Sequence, residues 1–85
     1  MVIRGVVQGV GFRYFILRRA TELGLSGDVR NLPDGAVEVR ACGDAAGVAQ
    51  LLELARRGPS SARVDDVEVQ SGYGARWPTG FRIRP

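Results

Sequence analysis

The stretch Gly5-Val6-Val7-Gln8-Gly9-Val10-Gly11-Phe12-Arg13 decides how the chain is read. It joins a short apolar strand to a helix through a glycine-rich turn and ends in arginine. Glycine takes positive φ freely and lets backbone approach a ligand closely. Successive N–H groups in such a turn form an anion-binding hollow, and the helix that follows adds the positive end of its dipole. Arg13 brings a planar, permanently charged fork of donors to the same place. A dinucleotide fingerprint is excluded, because Gly9-Val10-Gly11 has no third glycine three residues on and no acidic residue at the spacing a ribose needs. A P-loop is excluded too, since no Gly-Lys-Ser/Thr exists and all twelve basic residues are arginine.

Seven positions of the run, Gly5, Val7, Gln8, Gly9, Val10, Phe12 and Arg13, match a nonamer, Gly-x-Val-Gln-Gly-Val-x-Phe-Arg. In this the chain resembles the acylphosphatase family, whose first signature that is. A second stretch, Gly27-Asp28-Val29-Arg30-Asn31 followed by Leu32-Pro33-Asp34-Gly35, resembles the family's second signature. It departs at Asp28, where the family usually carries an aromatic.

The resemblance implies an acyl-phosphate hydrolase. Arg13 and the backbone of Gln8, Gly9, Val10, Gly11, Phe12 and Arg13 would bind the phosphoryl group, and Asn31 would orient the attacking water. It also implies a small-molecule acyl phosphate as partner, inorganic phosphate as product, and neither cofactor nor metal. Alternation sets Val29 and Asn31 on one face of their strand and Asp28 and Arg30 on the other, so the departure at Asp28 points away from Asn31. On an edge strand its charge would discourage edge-to-edge pairing. Taken by itself, Asn31 could instead prepare the following Pro-Asp-Gly turn through side-chain hydrogen bonds.

Such chemistry is compatible with the composition. The chain has no histidine, which removes the commonest general base and every Ser-His or Cys-His device. An acyl phosphate has a carboxylate leaving group that needs little protonation. Phosphoryl transfer through a loose transition state depends on alignment and on stabilising equatorial charge, tasks suited to preorganised amides, a guanidinium and an oriented water.

With 85 residues, 45% apolar and 25% charged, the chain is expected to form one domain, residues 1–85, with its own core. The single cysteine, Cys42, allows no internal disulfide and no cysteine cluster for a metal, so a cytoplasmic setting is expected; a monomer is the expected state, though no residue pattern fixes it. No apolar run approaches the roughly 18–20 residues of a membrane helix. A net charge of +3 favours an anionic partner, small or polymeric.

The periodicities predict β-α-β-β-α-β with a short terminal strand. Val2 to Val7 form a first strand, parallel or central because it does not alternate cleanly. Phe12, Phe15, Ile16, Ala20 and Leu23 recur at helical spacing, with Gly24 at the C-terminal stop. Ser26–Leu32 and Val37–Cys42 form a hairpin about Pro33-Asp34-Gly35. Asp44 opens a second helix bearing Val48, Leu51, Leu52 and Ala55, which Gly58-Pro59 ends. Arg63–Ser71 is a fourth strand with Val67 and Val69 inward and a bulge near Asp65-Asp66. Phe81 and Ile83 alternate with Arg82 and Arg84 in the last, where both arginines decorate the exposed side.

This order predicts an α+β fold, a ferredoxin-like split βαβ sandwich with an antiparallel sheet of four to five strands and two helices on one face. The resemblance places strand one centrally and strand two at an edge. The same order underlies RNA-recognition domains, but those carry base-stacking aromatics on strand three, and Val37-Glu38-Val39-Arg40-Ala41 has none. No specific nucleic acid is therefore expected. A noncatalytic phosphate- or nucleic-acid-binding module remains the second reading. A third is an excised acylphosphatase-like domain of a hydrogenase-maturation carbamoyltransferase.

Overall fold

A computed structural model describes residues 1–70, 72 and 79–85. Its elements are β1 (Val2–Val6), α1 (Phe12–Glu22), β2 (Ser26–Asn31), β3 (Val37–Cys42), α2 (Ala45–Arg57), β4 (Arg63–Glu68) and β5 (Phe81–Ile83). The strands form one sheet in the order β4-β1-β3-β2-β5. The α+β ferredoxin-like architecture is as expected. Tyr73 and Trp77, which the sequence suggests pack a loop against the body, lie outside the described residues.

Alternation along the strands sorts the sheet into two faces. Ile3, Val29, Val37 and Val39 turn inward and are buried with Phe12, Ile16 and Ala20 of α1 and Leu51 and Ala55 of α2. Each of the larger of these side chains contributes roughly 1.5–3 kcal/mol when fully removed from water. Gly47 is explained by packing at the start of α2: a Cβ there would press to 3.2 Å from Leu25. Gly24, at φ 70, follows the C-terminus of α1 in the left-handed conformation. Asp44 stands at the N-cap of α2 without a side-chain cap bond.

β1 is central and antiparallel to both neighbours, so of the two expectations for it only the central one holds. The bulge falls as expected: Arg4 pairs with Asp66 and Gly5 with Val64, leaving Asp65 as the extra residue. β4 stops at Glu68, short of the expected Ser71, and Val69 is 51% exposed rather than inward.

Larger corrections concern β2. β5 joins β2 in parallel, Gly27 opposite Phe81 and Val29 opposite Ile83. The sheet is therefore mixed, and β2 is an interior strand. Asp28 cannot guard an edge. It is 6% exposed, directly opposite Arg40 on β3, which donates to it through Nε at 2.9 Å and Nη2 at 2.6 Å. Arg84 approaches the same carboxylate at 3.6 Å and is half-buried, not surface decoration.

Burial of Asp28 acts to raise its pKa, but the hydrogen bond and charge of Arg40, with Arg84 and Arg82, outweigh burial and hold it below the ordinary value. A carboxyl with a depressed folded-state pKa contributes stability above its unfolded pKa and loses that contribution as pH falls through the folded one. Asp28→Asn is thus expected to lower stability at pH 7 by roughly 1.5 kcal/mol, the low end for hydrogen bonds to charged groups, since Arg40 keeps access to water. Thermal melts should show the gap to the wild type narrowing as pH falls below the ordinary carboxylate range.

Candidate active site

β1 and β2 both run antiparallel to β3 and hence parallel to each other, so their C-terminal ends lie at the same end of the sheet. The glycine loop leaves β1 there, and β2 ends there at Asn31. Asn31 pairs with Val37, which on its other side pairs with Ile3. The three stand in one row, with Asn31 two strand spacings, about 10 Å, from β1.

Between β1 and α1 the backbone turns through two left-handed glycines, Gly9 at φ 74 and Gly11 at φ 77. Gly11 is the N-cap of α1 and supplies no side-chain cap. The first helical bond runs from the Phe15 N–H to the Gly11 carbonyl at 3.0 Å. The amides of residues 11–14 are therefore left without intrahelical partners at the positive end of the helix. Ser61 donates to the Val10 carbonyl at 3.0 Å. In a trans peptide the C=O and N–H are antiparallel, so that bond turns the Gly11 N–H away from Ser61.

Arg13 is the second residue of α1. Among the described residues, Arg13, Arg30, Arg40 and Arg84 are the half-buried arginines. The other three hold carboxylates, Arg30 on Glu38 and Arg40 and Arg84 on Asp28, whereas Arg13 has no ion pair or hydrogen bond among the described residues. By its place in the helix it belongs to the first turn, where the uncapped amides lie.

Asn31 does not prepare the turn. That work falls to Asp34, whose Oδ1 accepts from the Ala36 N–H at 3.0 Å, with backbone bonds from Leu32 to Ala36 and from Gly35 to Leu32. The Asn31 Oδ1 is buried and accepts no hydrogen bond from a described residue. An amide oxygen in that state costs about 1–3 kcal/mol unless something donates to it.

The loop and the hairpin are joined by a side chain that sequence reasoning assigned only through its backbone. Gln8 Nε2 donates to the Leu32 carbonyl at 2.8 Å and to the Ala36 carbonyl at 2.9 Å. Gln8 was readable in the first motif, but nothing in a linear sequence says where its carboxamide reaches. Ser61 lies in a loop with no pattern to mark it.

The sheet face opposite the helices carries cross-strand ion pairs, Asp28 with Arg40 and Arg30 with Glu38, and among the described residues of β1, β2 and β3 it presents no aromatic side chain. The described residues of these three strands offer no aromatic platform of the RNA-recognition kind. Among the described residues no group of three His, Cys, Asp or Glu is placed to hold a metal ion, and no helix is long and apolar enough to cross a membrane.

What these features define is a ferredoxin-like sandwich with a glycine loop and an uncapped helix at its business end. A family model described as Acylphosphatase matches residues 1–83. An acylphosphatase from Caldivirga maquilingensis is 53% identical over 85 residues, covering 99% of this chain and 90% of that one. The crystal structure of an acylphosphatase from Bacillus subtilis superposes with a TM-score of 0.95 at 33% identity, over 99% of this chain and 93% of that one. Full-length HypF, in a phosphate- and nucleotide-bound form, matches with a TM-score of 0.84 at 25% identity, over 99% of this chain but 11% of that one. The chain belongs to the acylphosphatase family.

A Cβ added to Gly9 or Gly11 meets nothing within 4 Å, so alanine there is opposed by conformation and not by space. Gly11→Ala should lower stability by about 1–2 kcal/mol, the left-handed penalty, read from its urea midpoint. Gly27→Ala should lose more, because its methyl would run directly into the Arg40 carbonyl oxygen.

Proposed function

We propose that this chain hydrolyses the carboxyl–phosphate bond of acyl phosphates to a carboxylate and inorganic phosphate, with Arg13 and the amides of the loop from Gln8 to Arg13 binding the phosphoryl group and Asn31 orienting the attacking water. The activity is that of its family. The reading is supported by an uncapped helix start carrying Arg13 and by the strand end at Asn31, both at one end of the sheet, where among the described residues the Arg13 guanidinium has no ion pair and the buried Asn31 Oδ1 no donor.

Each group has one task. The amides beyond Gly11 and the fork of Arg13 spread stabilisation over the three equatorial oxygens, where charge resides in the transition state. Asn31 Oδ1 accepts a hydrogen from water and fixes the direction of its lone pair. The water oxygen forms a bond to phosphorus as the bond from phosphorus to the acyl oxygen breaks. The carboxylate departs with the electron pair, and the water's proton passes to a phosphate oxygen. No side-chain acid is needed, because a carboxylate leaves without protonation.

The same reading makes the protein a cytoplasmic monomer of one domain, residues 1–85, that needs no cofactor. A lone, half-buried Cys42 supports a reducing setting, and a core drawn from β1, β2, β3 and both helices, with Val64 and Val67 of β4 and Phe81 of β5 packed against it, supports independent folding.

Removing one preorganised donor typically costs about 10² to 10³ in rate. Arg13→Ala and Asn31→Ala should each reduce benzoyl phosphate turnover by at least that much, with phosphate inhibition weakened in Arg13→Ala and kept in Asn31→Ala. Arg13→Lys should also be poorly active, since a point charge does not reproduce the fork. Wild-type turnover in purified, folded Asn31→Ala would remove that residue from the mechanism.

A further inference from the structure

Gln8 stands where β1 has left the sheet. The last β1–β3 pair toward this end is Ile3 with Val37, and beyond it no backbone from the first strand reaches the hairpin. Two side chains span the gap: Arg4, whose Nη1 donates to Asp34 Oδ2 at 2.8 Å on the exposed side, and the carboxamide of Gln8. Both Nε2 hydrogens are used, one on the Leu32 carbonyl and one on the Ala36 carbonyl. Each of these oxygens also accepts a backbone bond, from Gly35 and from Leu32 respectively. Gln8 thus closes the mouth of the turn that begins one residue after Asn31, while its own backbone is the first residue of the anion loop.

We infer that Gln8 is a positioning residue for hydrolysis, which fixes Asn31 relative to the anion loop through its two bonds to the hairpin and so governs the aim of the water rather than the hold on phosphate. This rests on the reading of Asn31 and the loop given above. The physical reason is geometric. The loop is anchored independently through Ser61 and the start of α1, so its grip on an anion survives without Gln8. Asn31 belongs to the hairpin, and the side chain of Gln8 is what joins that hairpin to the loop residues. A misalignment on the order of 1 Å can cost about a hundredfold in rate.

A double-mutant cycle tests this. Wild type, Gln8→Met, Asn31→Ala and the double variant are compared for benzoyl phosphate turnover, for competitive inhibition by inorganic phosphate, and for thermal unfolding. Methionine keeps the length of the side chain and removes both donors. Turnover in Gln8→Met should fall about tenfold to a hundredfold, with the phosphate inhibition constant within about threefold of wild type. In the Asn31→Ala background the same change should cost less than about twofold, because residues acting as a unit are not additive.

Losses that multiply in the double variant, unaltered turnover in Gln8→Met, or phosphate affinity falling in step with turnover would each overturn the inference. Should Gln8→Met fail to fold, Gln8→Glu replaces it. As a carboxylate it sets oxygen against two carbonyls, and once protonated it regains one donor. Its turnover relative to wild type should rise as pH falls through the carboxyl range. A folded Gln8→Glu without that rise overturns the inference, as does failure of both variants to fold. A wild type inactive on benzoyl phosphate would instead sink the functional reading itself.

Discussion

The site depends on β3 being shared. Because β1 and β2 pair antiparallel with the same strand, their chain directions agree, and two segments far apart in sequence deliver their C-terminal ends to one place. The strand between them is short and carries Val37 and Val39 inward and Glu38 and Arg40 outward. Its apolar side fastens the sheet to the helices and its charged side stitches β2 to β3. Slipping that pairing by one residue would turn Asn31 from the helix face to the charged face.

The two faces of β2 carry different kinds of group. On the outer face, Asp28 gathers Arg40 and Arg84, linking β2 to β3 and to the chain just after β5. On the helix face, β2 ends in an asparagine whose buried amide oxygen accepts from no described residue. A departure from the family's usual aromatic at position 28 is therefore accommodated on the side of the strand that does not meet the loop.

The two motifs and the helical spacings made the element order and the placing of Arg13 and Asn31 legible in the sequence, because period and glycine placement are local properties. What could not be read is non-local. Asp28 reads as an edge charge until β5 is seen to cover β2 in parallel, a pairing that no turn signals. Val69 alternates correctly with Val67 yet lies beyond the end of the strand. Gln8 advertises a loop residue, while its decisive bonds are made to carbonyls 24 and 28 residues away.

The absence of lysine acquires a meaning beside the proposed substrate. Mixed anhydrides transfer their acyl group to free amines, and a lysine ammonium whose pKa drops in a crowded site becomes such an amine. A guanidinium stays protonated and does not attack the carbonyl carbon. A cation set made wholly of arginine holds an activated acyl donor without any basic side chain that the donor could permanently modify.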